Sequence, residues 1–177
     1  MNFALILEPF LLSLKTISVS AILFIAIGIP IAYLLAKENL KFKWLLNTIV
    51  TLPLIFSPIA IGFFLLLLLG RNGFLGSFFY KFDISIIFSF SGIVIAAFVA
   101  GLPLMVKPIQ ASIELFPKEI KEASYISGKG EIKTFLFIVL PNIKNSLIVA
   151  LLISTARALG EVGITLMLGG NIIGKTD

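Results

Sequence analysis

The chain has 177 residues, of which 59% are hydrophobic and 13% charged, with a net charge of +5 and a mean hydropathy of +1.12. Soluble domains carry about 25% charged residues, so lipid must solvate much of this surface. Cysteine and histidine are both absent. That excludes disulfides, thiolate or imidazole metal sites, and Ser/His or Cys/His catalysis. No basic tract with interleaved aromatics stands on a polar background, so no nucleic-acid partner is expected.

The N-terminus lacks the basic start of a signal peptide and carries Glu8. The apolar run after Lys15 is too long for a signal core, so it is expected to stay as the first membrane helix. Four apolar spans follow in order: 10–36, 44–70, 84–106 and 143–168. Each reaches the ~20 residues needed to cross ~30 Å of hydrocarbon. In lipid the backbone must satisfy its own hydrogen bonds, so each span is expected to be helical. Lys15 lies near an outer end, where a long side chain can snorkel to the headgroups.

Lysine placement sets the expected orientation. Loop one holds Lys37, Lys41 and Lys43. Loop three holds Lys107, Lys118, Lys121, Lys129, Lys133 and Lys144. Loop two holds Arg71 and Lys81, partly offset by Asp83. Lysine-rich loops stay in the cytoplasm, which puts loops one and three inside and the N-terminus outside. Gly28 and Pro30, Pro53 and Pro58, and Gly101 and Pro103 interrupt the first three spans. They read either as ordinary kinks or as breaks near a pathway. The chain reads as one transmembrane unit, 1–177, without internal repeats.

The third loop, 107–142, is too polar to cross a membrane and too patterned for a slack linker. Pro117 suits the first turn of a helix. Ile113, Phe116, Ile120, Ala123 and Ser127 follow helical spacing along one face, while Lys118, Lys121, Glu122 and Tyr125 lie elsewhere around it. Gly128 sits where a helix stops, because glycine takes the left-handed cap freely. A second short helix is expected over 132–139, ending before Pro141. A helix-turn-helix projecting into the cytoplasm results.

Within that loop stand Glu122, Ala123 and Ser124, then Gly128, then Ile138, Leu140 and Pro141. The pattern resembles the loop of ABC-importer integral permeases, which has two alanines after the glutamate, a glycine four residues on, and an isoleucine, leucine and proline at its end. The single departure is Ser124 for the second alanine. The stretches 51–58 (TLPLIFSP), 69–76 (LGRNGFLG), 102–107 (LPLMVK), 156–163 (ARALGEVG) and 170–176 (GNIIGKT) are similar to the molybdate permease branch. Sulfate and tungstate permeases are close relatives of that branch. Ser57 and Ile173 stand where it usually has proline.

The resemblance implies an all-α, multi-pass bundle of the type I ABC-importer permease kind in the cytoplasmic membrane. It implies a homodimer, a cytoplasmic ATPase docked on residues 122–141, and an extracytoplasmic oxyanion-binding protein that selects the anion. It implies a transport subunit rather than an enzyme, and no cofactor. The chain's own residues agree on one point: no phosphate-cradling loop is present, since Gly174, Lys175 and Thr176 lack the first glycine of that motif. That branch continues into at least one more helix beyond the fourth span, so the bundle is expected to lack its last helix. A sulfate or tungstate permease and a truncated, non-transporting remnant are the alternatives. Arg157 and Glu161, four apart in the fourth span, can pair. They read either as a structural ion pair or as part of the anion's path.

Overall fold

A computed structural model of the chain describes residues 4–82 and 86–170. The tail stretch beyond Gly170, with Ile173 and the Gly174, Lys175 and Thr176 fragment, lies outside the described residues, as do Asp83 and the expected start of the third span at 84. In chain order the helices are α1 (Ala4–Leu23), α2 (Ile29–Ala36), α3 (Lys43–Ile55), α4 (Pro58–Leu69), α5 (Gly76–Tyr80), α6 (Phe90–Glu114), α7 (Lys118–Ile126), α8 (Glu131–Thr134), α9 (Leu140–Asn142), α10 (Lys144–Leu159) and α11 (Gly163–Gly169). A π-helical segment, Phe24–Gly28, joins α1 to α2, and another, Phe135–Val139, joins α8 to α9.

The described residues form an all-α membrane bundle. Leu7–Ala36 and Phe90–Glu114 are each long and apolar enough to cross a bilayer. The third span differs from its sequence expectation: its helix starts at Phe90 and runs on through Lys107 and Pro108 to Glu114. Buried small and branched side chains such as Ala97, Val106 and Ile109 face the neighbours along its whole length. That packing extends the helix past the charge at which hydropathy ends.

Each π segment lies in the turn before a proline. Pro30 has no N–H for the carbonyl of Ala26, and its ring would strike that carbonyl in a regular helix. Ala26 is the middle residue of Phe24–Gly28. Pro141 stands in the same register to Phe137, the middle residue of Phe135–Val139. Widening the turn by one residue moves the carbonyl off the ring and keeps the helix continuous. The second helix of loop three therefore does not end before Pro141. It runs to Asn142 and then turns by 77° into α10 at Ile143.

The second and fourth spans are each two helices. The second breaks at Phe56 and Ser57, and Ser57 Oγ accepts the N–H of Ala60 (3.3 Å) with Pro58 opening α4. Ser57, the departure from the usual proline, is thus an N-cap. The fourth breaks between Leu159 and Gly163. The halves away from loops one and three, α4 and α11, pack on one another, with Met167 lying over Gly62.

α6 is the central post, packed most extensively against α10 and also against α1, α2, α3 and α11. Ala150, Ser154 and Ala158, spaced by four, bury a narrow stripe of α10, which lets two backbones approach as small residues do in membranes. Gly101 sits at the crossing. A Cβ there would lie 2.4 Å from the Phe24 ring and 2.7 Å from the Ser154 carbonyl oxygen. Phe24, fully buried, also stacks on Phe98 at 5.5 Å. Glycine is required at this point for a close approach of three helices.

Contacts at the two ends agree with the loop charges. Lys43 reaches Glu114 (3.4 Å) and Lys37 reaches Glu131 (2.9 Å), so loops one and three share one end. At the other end the Phe88 N–H donates to the Leu168 carbonyl (2.7 Å), and Lys15 lies over the Phe90 ring (4.8 Å).

Gly101→Leu should destabilise the bundle by about 3 kcal/mol or more, the upper part of the overpacking range, with Gly101→Ala milder. Thermal unfolding in detergent measures this. An unchanged melting temperature for Gly101→Leu would contradict the three-helix crossing.

Candidate functional site

Loop three is a braced helix pair. α6 ends at Glu114, and Pro117, with ψ of 127°, breaks the chain before α7 begins at Lys118. Glu119 in the first turn of α7 complements the helix dipole. The end of α7 is a Schellman cap. The Gly128 N–H donates to the Tyr125 carbonyl (2.9 Å) and the Lys129 N–H to the Ser124 carbonyl (3.1 Å). Gly128 carries φ of +79°, with no atom within 4 Å of where a Cβ would stand. A side chain there meets only backbone strain.

The inward face of α7 differs from the expected stripe. Ile113 and Phe116 are buried, but Ile120, Ala123 and Ser127 are exposed. The helical phase does not carry across Leu115 to Pro117, because the chain leaves the helix there. Ser124 takes the inward position instead, 5% exposed, with its hydroxyl 2.8 Å from that of Thr134, which is 1% exposed. This bond ties α7 to α8. An alanine at 124 would leave the Thr134 hydroxyl without it, so the departure at Ser124 is matched by its neighbour.

Further contacts fasten the pair to the bundle. Lys121 donates to the Ile113 carbonyl at the end of α6 (3.0 Å), where a cation also complements the helix dipole. Burial pushes the Lys121 ammonium down from its usual range. Glu131 is held below the usual carboxylate range, chiefly by its hydrogen bond from Lys37, and the same bond raises Lys37. The Phe135 and Tyr33 rings pack tilted against one another, with centroids 4.3 Å apart. Lys118 to Glu38 (3.3 Å) is an exposed pair, of the kind worth little.

Of the pattern residues, Glu122 and Ala123 are exposed on α7 and Gly128 makes the turn. Ile138 and Leu140 are half-buried against the core, and exposed Pro141 follows the π segment. Around the turn, Ile126 is 89% and Ile132 68% exposed. Two large apolar side chains flanking a polar turn form a surface suited to a protein partner. Hydropathy could not single them out, since their exposure depends on the phase reset at Pro117. Among the described residues no cluster of His, Cys, Asp and Glu could hold a metal ion.

Arg157 and Glu161 do pair, at 2.7 Å, with the Glu161 side chain 1% exposed. The other carboxylate oxygen of Glu161 accepts the Ile164 N–H (2.8 Å). Both oxygens are engaged, one holding Arg157 and the other capping the start of α11. The pair thus sits at the break in the fourth span.

Two outcomes follow. In a double-mutant cycle, Ser124→Ala and Thr134→Val should each loosen the loop while the double variant recovers part of the loss. The coupling should be about 1 kcal/mol, read from hydrogen exchange around Gly128; strictly additive effects would remove the clamp. Arg157→Gln should cost about 3 kcal/mol of stability by stranding a buried carboxylate. An unchanged melting temperature for that variant would instead favour a role for Arg157 along the anion's path.

Residues 28–176 match the family described as binding-protein-dependent transport system inner membrane component. The molybdenum transport system permease protein ModB of Escherichia coli strain K12 is 37% identical over 170 residues, 96% of this chain and 74% of that protein. The probable transport system permease protein NifC of Clostridium pasteurianum is 35% identical over 171 residues, 96% of this chain and 60% of NifC. The sulfate transport system permease protein CysW of Synechococcus elongatus is 34% identical over 150 residues, 85% of this chain and 52% of CysW. The chain thus spans between about half and three quarters of these relatives' lengths. With its apolar helical bundle and this match over most of its length, the chain belongs to the binding-protein-dependent transport system inner membrane component family, the membrane permeases of ABC transport systems.

Proposed function

We propose that this chain is the permease subunit of an ABC importer that carries molybdate across the cytoplasmic membrane. In this reading it works as a homodimer with its N-terminus outside, receives the anion from an extracytoplasmic binding protein, and is driven by a separate ATPase docked on residues 122–141. The observation that carries it is the coincidence of the Glu122, Ala123, Ser124, Gly128, Ile138, Leu140 and Pro141 pattern with a rigid helix pair exposing Ile126 and Ile132. The names of the ModB relatives support molybdate as cargo.

The mechanics follow from the joints. A partner pressing on α7 moves α8 with it through Ser124 and Thr134. α8 continues through the π segment to the 77° bend at Ile143, the lower end of α10. α10 carries the movement along its small-residue stripe to α6. Movement at the loop would thereby reach the bundle as a rigid-body shift of packed helices.

Similarity to CysW favours sulfate as the second reading. Uptake of labelled molybdate after co-expression with the neighbouring ATPase and binding protein separates the two. Tungstate and sulfate serve as competitors. Molybdate uptake resistant to excess sulfate supports the proposal, whereas efficient inhibition by sulfate together with saturable sulfate uptake would replace it.

Gly128→Val should lower uptake about tenfold while membrane insertion is unchanged. A β-branched residue resists the left-handed cap by roughly 1–2 kcal/mol. Gly128→Asn should retain most activity, since asparagine tolerates that conformation. Full transport by Gly128→Val would sink the coupling assignment.

A further inference from the structure

Where loop one meets α6, a cavity of about 550 Å³ is lined by Lys41, Lys43, Trp44, Asn47, Lys107 and Gln110, among others. Its lining holds three lysines and no carboxylate. Lys43 is paired with nearby Glu114 (3.4 Å), which also accepts from Gln110 (3.0 Å). Lys107 donates to the Asn47 and Gln110 side-chain oxygens, both neutral. Lys41 has no hydrogen-bond or ion-pair partner among the described residues. One carboxylate, Glu114, therefore serves both Lys43 and the half-buried Lys107, and three ammonium groups share it. Lysines clustered at the end of membrane helices in excess of carboxylates attract anionic groups, so the cavity calls for an anion.

Its position says which anion. Lys107 lies about 26 Å along α6 from Phe90, at 1.5 Å per residue, close to the ~30 Å thickness of a hydrocarbon core. Phe42 and Trp44, each 68% exposed, flank Lys43. Tryptophan with exposed apolar neighbours is the signature of the headgroup level. We infer that this cavity binds the phosphate of an anionic phospholipid in the leaflet facing loops one and three, with Lys41, Lys43 and Lys107 around the phosphate and Trp44 against the glycerol and upper acyl region. Basic pockets between membrane helices on that side take such headgroups. The same lipid would pin the break between loop one and α3 to α6.

Trp44 is the sole tryptophan of the chain, so its fluorescence reports occupancy directly. The purified full chain is reconstituted in phosphatidylcholine vesicles with a minor fraction of phosphatidylglycerol. Quenching by the dibrominated form of each lipid is compared at matched mole fraction. Brominated phosphatidylglycerol should quench well beyond its bulk share. Lys41→Gln, an exposed change that leaves the packing alone, should lower the preference about fivefold, the equivalent of ~1 kcal/mol for one lysine at an anionic surface. Lys133→Gln, an exposed residue that does not line the cavity, should leave it unchanged. Equal quenching by both lipids, an unchanged preference in Lys41→Gln, or an equal loss in Lys133→Gln would overturn the inference. So would relief of quenching by inorganic phosphate or molybdate, which would assign the cavity to a free oxyanion.

Discussion

The π segments and the capped breaks of this bundle answer one constraint: in hydrocarbon the backbone has no water to fall back on. Pro30 and Pro141 each remove a donor, and in both cases the preceding turn widens into a π segment centred on the carbonyl that lost its partner. The breaks in the second and fourth spans expose helix N-termini, and each is closed by a side chain, Ser57 for α4 and Glu161 for α11. Glu161 costs an ion at membrane depth, and Arg157 offsets it at 2.7 Å. The turns before Pro30 and Pro141 and the charge pair are parts of one solution to backbone satisfaction.

That solution leaves a bundle with stiff elements and few, well-defined joints. The joint at Ile143 is a 77° bend between two helical arms, one amphipathic and exposed, the other packed on α6. The Schellman turn at Gly128 and the clamp between Ser124 and Thr134 keep the exposed arm rigid. Rigidity suits the coupling role proposed for loop three, because a slack loop would absorb displacement as local motion. The two clamp hydroxyls are buried and mutually satisfied, so they contribute geometry at little desolvation cost.

Much was legible from residues alone. Long apolar runs and alternating lysine content between loops are first-order consequences of transfer free energy and charge, and the structure keeps loops one and three at a common end. Gly128 as a left-handed cap was legible because few other residues fit there. The inward face of α7 was not, since a period read across 113–127 assumes one helix while Pro117 divides it. Pro58 marked an interruption beside Ser57, but the break at Glu161 was not legible, because hydropathy averages over a cap and sees only an apolar run.

By itself, then, the sequence determined that this is a helical membrane protein, which loops face the same side, and that loop three turns at Gly128. Each of these follows from the local cost of putting a given residue in lipid or in a given φ range. Only the tertiary structure decided that Ser124 faces Thr134, that Gly101 lies under Phe24 and Ser154, and that Arg157 and Glu161 meet at a break. Those facts depend on which residues far apart in the chain are brought within bonding distance, and no local preference specifies that.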